Sequence, residues 1–322
     1  MVKSIPLPAF ILATPLVVAL CYAATLPQTN QLLPAGHVSD SAAPRVAVKP
    51  MEYQVGGHPG FSVLEEVQQV AKPYNAREET FYVLAQQSPY HDSPLYPFMP
   101  HYYGTKTAEA LGMSVASENV LQSTYLLIED ATAGFKRPNI LDLTLGSRLY
   151  DEEANEEKRN KMIKKAQKTL SGTLGFRFAG MQVIDPMTGT PCIIDRDVLR
   201  KVTKDTAQAT LASFFPDMLN PAYRRQVVAC FHHALDQLST VFNGTPALLI
   251  GASILVVYEG DATQVWSVID AINDEFDPSA HCASFFRVRI IDFAHSTWTD
   301  KGVPRDDYQT ALTNIRQLLT GV

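Results

Sequence analysis

The chain has 322 residues, 46% of them hydrophobic, and a formal net charge of −6. That apolar content can fill one large core or two modest ones. The acidic balance excludes wholesale adhesion to nucleic acid or to an anionic membrane, so no nucleic-acid binding and no stable membrane association are expected, and an anionic partner has to meet a local basic patch.

In chain order, Lys3, the uncharged run from Ile5 to Ala24 and the small-residue site Cys21-Tyr22-Ala23 form a secretory-signal pattern, while Pro6, Pro8 and Pro15 oppose a spanning helix. Residues 1–25 are read as a signal-like or artefactual apolar segment, outside the fold. Residues 26–43, rich in Pro, Ser, Asn and Gln, read as a linker. A strand is expected at Val46-Ala47-Val48-Lys49, a helical pattern around Val63-Leu64-Glu65-Glu66-Val67, a helix over 76–86, and then a Pro- and aromatic-rich loop ending at Tyr103-Gly104. Apolar runs at 125–128 and 140–145 read as strands. A charged helix over 152–170 follows, then a strand over 176–184 and a helix over 221–242. The remaining elements are a strand over 253–258, a helix over 263–276, a strand over 285–293 and an amphipathic helix over 306–319. This is an α+β chain with a smaller N-terminal lobe, 44–130, and a larger C-terminal lobe, 131–322. Cys21, Cys192, Cys230 and Cys282 lack close spacing and read as reduced thiols.

Two aspartates carry the chemistry. Pro138-Asn-Ile-Leu-Asp142-Leu-Thr144-Leu-Gly146 sets an isolated carboxylate in an apolar strand just before a glycine turn, and Ile290-Ile291-Asp292-Phe293-Ala294-His295 repeats the arrangement. Burying a carboxylate costs several kcal/mol unless it is paired. Oxygen ligands at strand ends suit a Mg²⁺ ion on nucleotide phosphates, which takes only one or two protein carboxylates. Taken alone, the first aspartate reads equally well as a turn cap.

These segments resemble the inositol polyphosphate kinase family, whose signature is proline, three residues, aspartate, one residue, lysine, one residue and glycine; Pro138, Asp142 and Gly146 match. Leu145-Gly-Ser-Arg-Leu-Tyr-Asp151, Ser171-Gly-Thr-Leu-Gly-Phe-Arg-Phe-Ala-Gly-Met-Gln-Val183, Ser253-Ile-Leu-Val-Val-Tyr-Glu-Gly-Asp261 and Ile291-Asp-Phe-Ala-His-Ser296 resemble further family blocks in family order. The wording from Leu145 to Val183 is closest to the fungal inositol polyphosphate multikinase branch. The resemblance implies a two-lobed, protein-kinase-like fold with ATP in the cleft between a small N-lobe and a larger C-lobe, and phosphorylation of inositol polyphosphates.

By the same resemblance, Lys49 contacts the nucleotide phosphates with Glu78 as its ion-pair partner, and Glu129 and Ala131 form the hinge that hydrogen-bonds adenine. Asp142 binds the ribose and shapes the catalytic centre, Asp292 holds Mg²⁺, and His295 lies near the inositol phosphate. In the charged helix, Lys158 and Lys161 fall where substrate-contacting residues lie. Acids at its start and bases at its end equally suit the dipole of an ordinary surface helix. Thr144 stands where the signature has lysine and brings no charge to the transferring phosphate. Two readings follow: an ATP- and Mg²⁺-dependent kinase, or a weak or silent relative that still binds nucleotide or inositol phosphates. The expected location is nucleus or cytoplasm, with the secretory pathway as the alternative if residues 1–24 are a genuine signal.

Overall fold

A computed structural model describes residues 48–51, 55, 60–113, 124–151, 153–217, 219–271, 276–299 and 306–322. The chain divides into two units, Met1–Arg45 and Val46–Val322, and every described residue lies in the second. The signal-like segment and the linker lie outside the described residues.

Strands β1 (Val48–Pro50), β2 (Ser62–Leu64), β3 (Gln69–Pro73), β4 (Tyr102–Thr107) and β5 (Thr124–Glu129) form the antiparallel N-lobe sheet in the order β1-β2-β3-β5-β4. The helical pattern expected around residues 63–67 is corrected here. Ser62–Leu64 and Gln69–Pro73 pair as a hairpin, joined by a single 3₁₀ turn at Glu65–Val67 and by Gln68 in the left-handed region at φ 53°. Sheet partners on both sides of β3 override a weak local helical period, and Pro73 could not continue a helix. β4 takes in the last residues of the expected loop, Tyr102 to Gly104, and runs on to Thr107, held by β5 across an irregular register between Tyr102 and Gly104. The helix Ala76–Ala85 starts where Asn75 accepts the backbone N–H groups of Arg77 and Glu78, an ordinary N-cap.

The C-lobe sheet has the order β11-β10-β6-β7-β8, built from β6 (Pro138–Leu145), β7 (Phe176–Ile184), β8 (Pro191–Ile194), β10 (Ser253–Glu259) and β11 (Phe286–Ile291). β9 (Ala247–Leu248) and β12 (Thr297–Trp298) form a short ribbon. One sheet face carries Leu141, Leu143, Leu145, Ile254, Val256, Val288 and Ile290 into the core with the buried side of the long helix Pro221–Gly244. Each such side chain contributes about 1.5–3 kcal/mol on burial. Phe176, Phe178 and Met181 from β7 join the same core, a spacing that breaks strict alternation. The break is a register shift between Asp142 and Leu143: Asp142 pairs with Gly180, whereas Leu143 pairs with Phe178 and Thr144 with Arg177. β7 therefore holds one residue more than its partner.

The charged helix is shorter than its sequence period. It runs Glu156–Gln167 from the Asn155 cap, and Leu170–Leu174 forms a separate turn ended by Gly175 at φ 75°. Cys230 and Cys282 correct the reduced-thiol reading: they form a disulfide tying the long helix to the segment before β11, with Cα atoms 5.7 Å apart.

Candidate active site

Alternation along β6 sends Ile140, Asp142 and Thr144 to the face opposite the core. Across the ladders Asp142 meets Leu255 and Thr144 meets Ser253 on β10, while Thr144 meets Arg177 on β7. Ser253 Oγ donates to Thr144 Oγ1 at 3.2 Å. Asp142 is 3% exposed, and its Oδ1 has no hydrogen-bond partner. Burial, reinforced by the charge of Asp292, pushes its carboxyl up to about 7 against the opposing pull of Ser253, Arg177 and Lys72.

The lysine of the cleft is Lys72. Its Nζ donates to Glu78 Oε1 at 2.7 Å and to Asp292 Oδ1 at 2.6 Å, joining the N-lobe sheet, its helix and the end of β11. Burial pulls this ammonium down, but the Asp292 and Glu78 carboxylates outweigh it and hold the group above its ordinary value. The role assigned to Lys49 is thereby corrected: Lys49 is exposed and pairs with Glu65 at 2.7 Å, not with Glu78. A lysine at the end of a β-type Val-Ala run and six residues before Glu78 was the available signal, hidden by the helical reading of that segment. Asp292 sits just past β11 in the left-handed region at φ 67°, a conformation that non-glycine residues seldom hold without local support. The next residue gives that support, its Phe293 N–H donating to Glu78 Oε1 at 3.2 Å.

Asp142 and Asp292 line two cavities at once. The smaller, about 90 Å³, is apolar, walled by Val70, Ile128, Ile140, Leu255 and Ile291, with Lys72 within it and Glu129 to Thr132 along its edge. There the Glu129 carboxylate is gripped by Arg289 at 2.7 and 3.2 Å, and Arg287 donates to the carbonyls of Ala131 and Ala133 at 2.8 and 2.9 Å. Among the described residues the Ala131 N–H makes no hydrogen bond. The larger cavity, about 510 Å³, is lined by Thr144, Lys165, Arg177, Arg196, Arg200 and His295, among others.

Sequence reasoning assigned no role to Arg177, Arg196 or Arg200, and weighed Lys165 only as one of the bases of the charged helix, equally consistent with substrate binding and with an ordinary surface. Arg177 lies inside a quoted family block, but only the strand register reveals that it stands opposite Thr144. Lys158 and Lys161 are exposed on the charged helix and do not line this cavity; Lys165, one turn beyond Lys161, does. Lys158 acts instead on Asp151: against the opposing effect of burial it joins His295 and Arg77 in holding that carboxyl below the usual carboxylate range.

The donor set fits a cation carried in on a nucleotide. Asp292 offers Oδ2 while Lys72 holds Oδ1, and Asp142 Oδ1 lacks a partner. Among the described residues no cluster of three or more His, Cys, Asp or Glu forms a self-sufficient metal cage. Mg²⁺ bound largely by phosphates and water needs no such cage.

Comparison with known proteins agrees with this geometry. Over 275 residues the chain is 27% identical to the inositol polyphosphate multikinase of Saccharomyces cerevisiae, covering 69% of this chain and 76% of that one. It is 25% identical to the Schizosaccharomyces pombe multikinase, with 84% and 96% covered. Inositol hexakisphosphate kinase 2 of Mus musculus is 30% identical over 192 residues, and the chain spans only 42% of that relative's length. The crystal structure of the S. cerevisiae inositol phosphate multikinase in complex with ADP and Mn²⁺ superposes with a TM-score of 0.64 at 25% identity, covering 79% of this chain and 98% of that one. The fold is accordingly the α+β, two-lobed inositol polyphosphate kinase fold. The inositol polyphosphate kinase profile matches residues 125–320, a span that holds Asp142, Arg177 and Asp292, and the chain belongs to that family.

Proposed function

We propose that this protein is a kinase that transfers the γ-phosphoryl group of ATP to a hydroxyl of an inositol polyphosphate. The observation that carries the reading is the pair of cavities meeting at Asp142 and Asp292, one apolar with a buried lysine, the other rich in cations. Adenine enters the apolar slot and hydrogen-bonds the Ala131 N–H, while Lys72 faces the phosphates. A ribose hydroxyl supplies the donor that Asp142 Oδ1 lacks. Mg²⁺ on the nucleotide, carried by Asp292, supplies neutralisation of the phosphate charge.

Lys165, Arg196, Arg200 and His295 receive the phosphates of the second substrate, for which guanidinium groups are the better-matched donors. As the substrate hydroxyl forms its bond to the γ-phosphorus, the bond from that phosphorus to the ADP oxygen breaks, and the hydroxyl proton passes to solvent. Positioning and charge supply most of the rate in such a reaction, with little demand for a strong base.

Thr144 favours a second reading, a weak or silent relative, because its hydroxyl is bound to Ser253 and carries no charge. An assay of the purified protein with ATP, Mg²⁺ and inositol tris- and tetrakisphosphates separates the two. ATP-dependent formation of a more highly phosphorylated inositol is expected. Binding of both ligands without turnover would establish the silent relative.

A further inference from the structure

The charge missing from position 144 has a neighbour on the adjoining strand. Thr144 and Arg177 are register partners in β6 and β7, so their Cβ atoms lie about 5 Å apart on one face of the sheet. Thr144 is filled on its other side by Ser253, which leaves the approach from β7 as the route by which a cation reaches this point. Arg177 and Thr144 line the same cavity, together with Asp142 and Asp292.

Among the described residues Arg177 is also an arginine without a hydrogen-bonding or ion-pair partner. It makes no hydrogen bond and no ion pair among the described residues, although its side chain is only partly exposed. Its guanidinium is held below its ordinary value by burial, with Asp142 opposing that effect and the positive charges of Arg196 and Arg200 adding to it. Half-burying a guanidinium near two like charges is unfavourable unless an anion comes to it. An arginine serving structure alone would be matched to a carboxylate or to carbonyls, as Arg289 and Arg287 are on the same sheet.

We propose that Arg177 is a catalytic residue of this kinase, delivering from β7 the cation that the family signature delivers from position 144, and contacting the phosphoryl group in transfer. The proposal rests on the kinase reading above. Charge at that point acts mainly on the transition state, so its loss falls on kcat and not on nucleotide binding.

The test is a double-mutant cycle in the full chain, with ATP, Mg²⁺ and an inositol tetrakisphosphate. Arg177→Gln is expected to lower kcat at least 100-fold, with the melting temperature and the affinity for ADP retained, while Arg177→Lys recovers at least a tenth of the parent rate. Thr144→Lys is expected to accelerate the Arg177→Gln protein at least tenfold more than it accelerates the parent. If Arg177→Gln does not fold, Arg177→Met, which keeps the buried stem, carries the same cycle. A folded Arg177→Gln protein within threefold of the parent rate overturns the proposal while leaving the kinase intact. Equal effects of Thr144→Lys in both backgrounds overturn it too. A parent protein with no turnover on any inositol phosphate overturns the kinase reading and this proposal with it.

Discussion

Lys49 and Lys72 both lie on N-lobe strands within reach of a glutamate, and their surroundings separate them. The Lys49–Glu65 pair is 58% and 59% exposed, where an ion pair is worth under about 1 kcal/mol. Lys72 and Glu78 are 13% and 1% exposed. Removing Lys72 strands a buried carboxylate, at a cost of about 3–5 kcal/mol. Lys72→Met is expected to lower the urea midpoint and abolish measurable ATP binding, whereas Lys49→Met leaves the urea midpoint in place. Asp142 gives a prediction in pH. Its folded value, about 7, lies above its ordinary 3.8, so the folded state holds the proton more tightly and stability falls as pH rises through that window. The gap corresponds to at most about 4 kcal/mol. Asp142→Asn cannot ionise, so the nucleotide-free variant is expected to melt above the parent at pH 8 and close to it at pH 4, with turnover lost. A parent curve as flat as the variant's between those limits would refute the assignment.

The disulfide is the element-scale feature with the largest expected effect. It closes a loop of sequence separation 52, for which the chain-entropy estimate is about 4 kcal/mol of stability. Cys282→Ala is therefore expected to lower the guanidinium midpoint by the concentration equivalent to that free energy. The bond is at odds with the nucleus or cytoplasm expected from sequence, where thiols are kept reduced; a non-reducing peptide map of the native protein reads its state directly. Nothing in the spacing of the four cysteines announced it, because Cys230 and Cys282 meet through the packing of a long helix beside β11. The same limit explains what else was hidden. β6, β10 and β11 were legible because each is an apolar run with a strand period, and Asp142 and Asp292 stood out as charges within them. β2 and β3 were misread because the hairpin they form is held in the sheet by β5, whose residues lie up to 60 positions downstream of their partners in β3. Lys72 was lost with them. Arg177 was in plain view as a residue, but its opposition to Thr144 exists only in the paired sheet.

At the scale of the whole molecule, the N-lobe helix Ala76–Ala85 is fastened to the C-lobe at its first turn and at its middle. Arg77 reaches Asp151 and Glu153, and the Phe81 carbonyl accepts Trp298 Nε1 at 2.9 Å. The Trp298 ring stacks on Phe81 and Tyr90, with centroids 4.6 and 4.7 Å away. Trp298→Ala leaves a cavity at this junction and is expected to cost about 3–5 kcal/mol. In calorimetry the parent should unfold in one transition and this variant in a lower or divided one. The extra residue in β7 works over the same span as a phase setting for the sheet. Were the pairing before the shift, Asp142 with Gly180, continued without it, Thr144 would stand opposite Phe178, and Arg177 would stand opposite Leu145, turned into the hydrocarbon interior. Deleting Ala179 would not do this: with the extra residue gone, regular pairing still sets Leu143 opposite Phe178 and Thr144 opposite Arg177, and both faces keep their tenants. The face that residue 177 presents is therefore set by where the surplus residue is absorbed and not by how long the strand is: a descendant that kept every residue of β7 but flattened the bulge would lose the arginine from its cleft without mutating it.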